Sequence, residues 1–111
     1  MSDTLPSRLR VDALRRLAEN GGDTAMILQK GDEDRGEILV IMAHRGTIIS
    51  GYERRFNGDA YQWETIKAIQ EDSQKTAEYC AKRRKNDPDL WLIELDVAQP
   101  ERFVAVMKEI R

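Results

Sequence analysis

The run Ile38-Leu39-Val40-Ile41-Met42-Ala43 contains no polar position, and Leu90-Trp91-Leu92-Ile93 is equally unbroken before Glu94. Successive strand residues point to opposite faces, so each run predicts a strand covered on both sides. Pro88 pushes Asp87 out of the helical region, which ends the preceding helix and opens the second of these strands. Thr24 to Lys30, with Ala25, Met26, Ile27 and Leu28, reads as a third strand buried on both faces. Thr47 to Tyr52 is only half apolar, and Tyr61, Trp63 and Thr65 alternate with Gln62 and Glu64, the pattern of an edge strand with one wet face.

Between the strands the period changes to that of a helix. Val11, Leu14, Leu17 and Ala18 recur at helical spacing over Leu9–Asn20, and Asn20-Gly21-Gly22 supplies the stop. A second helix is expected from Asp72 to Lys85, with an acidic start and a basic end that both suit the helix dipole. Pro100 opens a last helix with Phe103, Val106, Met107 and Ile110 as its apolar stripe.

The element order is therefore α-β-β-β-β-α-β-α, an α+β fold with a largely antiparallel sheet and helices on its faces. Residues 1–7 read as a mobile tail and residues 8–111 as one globular domain. Pairing the first four strands as a meander and placing the strand at Leu90 beside the first gives the sheet order 5-1-2-3-4.

Arg45-Gly46 reads as a two-residue hairpin turn, which sets His44 against Thr47 and predicts partners whose numbers sum to 91. In that register Glu37 faces Arg54 and points away from Glu53, unless a one-residue bulge, which Gly51 would permit, intervenes.

Composition narrows the function classes. The net charge of −2 argues against a dedicated nucleic-acid binder. Mean hydropathy is −0.62, and no apolar run approaches the ~20 residues a membrane helix needs. The N-terminus has neither the basic nor the apolar region of a secretory signal, and one cysteine cannot form an internal disulfide. The expectation is a cytoplasmic protein without membrane association.

Ala13-Leu14-Arg15-Arg16, Lys30-Gly31-Asp32 with Gly36, Gly46-Thr47, Trp63, and above all Asp87-Pro88-Asp89-Leu90-Trp91 with Ile93-Glu94 carry a resemblance to a known family. Over roughly residues 8–96 the chain resembles the small bacterial proteins catalogued as domain of unknown function 1491. The resemblance implies a bacterial protein and brings no activity, cofactor or catalytic residue with it.

The candidate chemistry is sparse. His44 flanks a turn and lacks the convergent ligands a metal site needs. Cys80, spaced with Ala77, Ala81 and Arg84, reads as a buried inert thiol. Asp32-Glu33-Asp34-Arg35-Gly36 falls short of a calcium loop because glycine arrives one position early, in place of the third acid. Glu53-Arg54-Arg55 is a near miss to the Glu-x-Lys of restriction-type nucleases, and Glu71-Asp72 has the wrong sign for the RNA-binding helix start of a double-stranded RNA-binding domain. No metal or cofactor is expected. Trp91 reads as a core anchor, while Trp63 is open between core and a stacking platform.

What remains is charge. Lys82-Arg83-Arg84-Lys85, joined by Arg15 and Arg16, is the candidate contact surface for a macromolecular partner. The leading reading is a binding module without catalysis, its partner an unidentified protein. A metal-dependent hydrolase or nuclease with a carboxylate site is the alternative, and a nucleic-acid binder using the Lys82–Lys85 end is the third reading.

Overall fold

A computed structural model describes residues 5–110 of the chain. The elements are α1 (Ser7–Asn20), β1 (Thr24–Gln29), β2 (Ile38–His44), β3 (Thr47–Phe56), β4 (Tyr61–Thr65), α2 (Ser73–Asn86), β5 (Trp91–Asp96) and α3 (Pro100–Met107). The expected order of elements and the α+β class hold. Most of the expected tail, residues 1–4, lies outside the described residues. Ser7 already belongs to α1, where its hydroxyl donates to the Gly36 carbonyl at 2.6 Å.

The five strands form one sheet in the order β1-β5-β2-β3-β4, not 5-1-2-3-4. All neighbours are antiparallel except β2 and β5. The meander expectation failed at the first connection, because β5 inserts between β1 and β2. The acidic loop after β1 wraps the entry of β5. Asp32 N–H donates to the Asp89 carbonyl at 3.0 Å, and Trp91 Nε1 donates to the Asp32 carbonyl at 2.7 Å. A Cβ at Gly31 or Gly36 would run into the Asp89 carbonyl and the Trp91 ring, so glycine is what lets loop and strand approach this closely.

β1 is consequently an edge, with a mostly exposed or half-buried profile, and the expectation that it is covered on both faces is overturned. β2 and β5 hold the interior, as their apolar runs require. Alternate residues feed two cores. On one face Val11, Leu14 and Ala18 of α1 and Phe103 and Met107 of α3 pack on Ile38, Val40, Met42, Trp91, Ile93 and Leu95. On the other, Cys80 and Tyr79 of α2 and Ile66 and Ile69 of the preceding loop pack on Leu39, Ile41, Leu90 and Leu92.

Both tryptophans are core. Trp91 is 2% exposed, and Trp63 is buried with its Nε1 donating to the Ile110 carbonyl at 2.7 Å, which settles it as structural. None of the helices among the described residues is long and apolar enough to cross a membrane.

The Arg45-Gly46 turn forms as expected, with positive φ at both residues (50° and 83°). The Asp96 carboxylate caps it from β5, accepting from Arg45 N–H and Gly46 N–H, both at 2.8 Å. Pairing starts as expected with His44↔Thr47 and Ala43↔Ile48, then shifts by one residue to Met42↔Ser50 and Leu39↔Glu53. Ile49 is the extra residue of a bulge. Gly51 serves another purpose, since a Cβ there would collide with the Ile69 side chain.

Candidate functional site

The bulge decides what lies on the α2 face. With Leu39 opposite Glu53, Glu37 stands two residues back on the same face as Glu53 and Arg55. The expected Glu37–Arg54 pairing is therefore wrong, and so is the expectation that Glu37 points away from Glu53.

α2 starts cleanly because the Asp72 carboxylate accepts from Gln74 N–H and Lys75 N–H, both at 3.1 Å. Its inward stripe is Thr76, Tyr79, Cys80 and Arg83, at spacings of three, one and three. The spacing expected for Cys80 with Ala77, Ala81 and Arg84 instead names residues that face outward.

Arg83 descends from this stripe between the two acids of the sheet. Its Nη2 lies 2.5 Å from Glu53 and 3.4 Å from Glu37, and its Nη1 donates to the Tyr79 hydroxyl at 3.0 Å. Arg55 Nε closes the other side of Glu53 at 2.8 Å. Glu53 is only 3% exposed, so it sits in a low-dielectric setting where an unpaired carboxylate would be costly. Burial pushes Arg83 toward the neutral form, but the hydrogen bonds to Glu53 and Tyr79 outweigh it and its pKa ends raised. Arg55 is also raised, chiefly by its hydrogen bond to Glu53. A polar cavity of about 220 Å³ opens beside this cluster, lined by Glu53, Arg55, Glu64, Thr65, Ile66 and Tyr79.

The expected contact surface is rearranged by this geometry. Arg15 and Arg16 lie on α1 and Lys82–Lys85 on α2, on opposite faces of the sheet, so they do not form one patch. Arg15 also pairs with Asp12 of its own helix at 3.6 Å. Arg83 leaves the surface for the ion cluster. Lys82, Arg84 and Lys85 stay exposed and make no salt bridge with a described carboxylate, while Arg84 Nε donates to Gln29 Oε1 at 3.1 Å.

The remaining candidates take structural roles. His44 is half-buried with Nδ1 2.8 Å from the Val97 carbonyl. Cys80 is buried, and desolvation pushes its thiol pKa up, as an inert thiol requires. The Asp32 carboxylate accepts from Asp34 N–H (3.1 Å) and Arg35 N–H (2.7 Å), so it shapes its own turn. Among the described residues no three His, Cys, Asp or Glu side chains converge as metal ligands.

The comparisons with known proteins agree with this fold. Two structures of family proteins from Caulobacter crescentus CB15 superpose closely. The crystal structure has a TM-score of 0.77 at 27% identity, covering 89% of this chain and 94% of the other. The solution structure has a TM-score of 0.76 at 29% identity, covering 90% and 92%. A protein from A. tumefaciens, also solved in solution, gives 0.73 at 26% identity, covering 90% and 92%. None of the curated proteins matches. The family model extends beyond the 8–96 stretch of the resemblance, through most of α3. Over residues 5–105 the match is to DUF1491, described as a protein of unknown function, and the chain belongs to that family.

Proposed function

We propose that this chain is a non-catalytic docking module of the bacterial cytoplasm, and that the exposed basic end of α2 receives an acidic surface of a partner protein. The observation that carries this reading is the division of labour within Lys82-Arg83-Arg84-Lys85. Arg83 is spent on Glu53 and Glu37, whereas Lys82, Arg84 and Lys85 project to solvent without a described carboxylate to neutralise them. In a chain of net charge −2 this is a local cationic patch against an acidic background, which favours one orientation of an acidic partner.

The hydrolase alternative loses its support at the same place. A catalytic cation held by Glu37 and Glu53 would occupy the space between them, and that space holds the Arg83 guanidinium. A lysate from a bacterium that carries the gene tests the docking reading. Tagged wild type and a Lys82→Glu/Lys85→Glu variant are compared by capture and mass spectrometry across a salt series. A protein that wild type retains, that the variant loses and that salt elutes supports the proposal. A partner held equally by both contradicts it.

A further inference from the structure

We propose that β1 is a homodimerisation edge, pairing antiparallel with β1 of a second copy across a two-fold axis at Met26. This goes beyond the docking reading and uses a different surface.

The two edges of the sheet are unlike. β4 carries Glu64, exposed beside Arg55, a charge of the kind that guards an edge against further pairing. Thr24–Gln29 has no charged residue and no proline, although 34% of the chain is charged. It also exposes Met26 and Ile27, which are 59% and 41% accessible. A monomer would leave those side chains and a row of strand backbone groups in water.

A second copy answers this surface better than an unrelated strand because the edge is self-complementary. A two-fold axis perpendicular to the sheet keeps each face continuous, so Met26 meets its own copy and Ala25 meets Ile27. The C-terminal end of β1 carries Lys30 and Arg84, the latter held there by Gln29. Among the described residues Lys30 pairs with exposed Glu33 at 3.5 Å. The N-terminal end carries Asp23, whose Oδ1 accepts from Ala98 N–H at 3.0 Å, while the nearby Asp96 carboxylate is turned away to the Arg45-Gly46 turn. Antiparallel pairing about Met26 brings Lys30 of each copy toward Asp23 of the other. By symmetry the register irregularity between Ile27 and Gln29 falls on both sides of the axis, leaving Ala25–Ile27 as the regular centre of the ladder. With so short a ladder the dimer is concentration-dependent, not obligate.

Sedimentation equilibrium of the purified chain, from low micromolar to millimolar protein, tests the proposal. The expected mass rises with concentration from 12.8 kDa toward twice that value. Met26→Lys, which places like charges at the axis on an exposed position, should weaken the dimer by roughly tenfold or more. Met26→Cys should form a cross-link between copies under mild oxidation, because directly opposed residues fall within disulfide reach. Amide exchange read in wild type gives a result independent of any variant: protection over Thr24–Gln29 should increase with concentration. A constant 12.8 kDa mass, or a dimer that Met26→Lys leaves unchanged, overturns it.

Discussion

The Arg83 guanidinium lies 2.5 Å from the Glu53 carboxylate, joining the outer layer of α2 to the interior of β3. The two residues are 30 positions apart, and both belong to stretches whose linear sequence suggests something else. Glu53 sits in a nuclease-like triplet and Arg83 in a basic run. Their pairing neutralises the first and turns the second inward from its basic run.

Removing one partner of this pair strands the other. Arg83→Met is expected to lose about 3 kcal/mol, because Glu53 then keeps only the exposed Arg55. Replacing both, with Glu53→Met and Arg83→Leu together, should cost less than the sum of the single changes by about 1.5 kcal/mol or more. Urea denaturation of the four proteins of this cycle measures the coupling, and additive losses would show that the two groups act separately.

Trp91 is fixed by packing on one core and by its hydrogen bond to Asp32. Trp91→Ala should cost about 3–5 kcal/mol, a large share of the ~5–15 available to a small domain. Gly36→Ala should be destabilising as well, since its methyl group would enter the Asp89 carbonyl and the Trp91 ring. Chemical denaturation checks both, and a loss below about 1 kcal/mol for Trp91→Ala would place the ring outside the energetic core.

Gly51→Ala introduces a Cβ into the Ile69 side chain and is expected to cost about 1–3 kcal/mol. Ile69→Ala should recover part of that loss when combined with it, although it is destabilising by itself. Thermal melts of the two single variants and the double variant would show this; a double variant less stable than the sum predicts would contradict the contact.

Cys80 should react slowly with a chromogenic thiol reagent in native protein and fast in denaturant. Its folded pKa is raised above the ordinary 9.0, so the unfolded chain loses the proton first as pH rises. Its contribution is therefore complete below pH 9.0 and falls as pH climbs from there through the folded value. Cys80→Ser should flatten the alkaline decline in stability, and an unchanged decline would assign it to other groups.

Much of the fold is legible from hydrophobic periodicity, since the two unbroken apolar runs do occupy the sheet interior. The order of strands is not, because four apolar residues at Ala25–Leu28 read the same whether a strand is central or an edge. Neighbouring strands in sequence also need not be neighbours in space. The loop glycines Gly31 and Gly36 carried the missing information, but only through their contact with Asp89 and Trp91. The resemblance residues in this region are thereby explained as packing of the β5 entry. The extra residue at Ile49 has no sequence signature, and a single inserted position reverses which acids share a face. Arg83 was recoverable from the Thr76, Tyr79, Cys80, Arg83 spacing, a signal masked by its three basic neighbours.

The most direct test of the account is incubation of the purified protein with DNA and RNA in the presence of magnesium or manganese. With the space between Glu37 and Glu53 filled by Arg83, the expected result is no cleavage above the protein-free control. Cleavage that depends on the metal and disappears in Glu53→Gln would contradict it, because Glu53 would then be a working carboxylate and not the buried partner of Arg83.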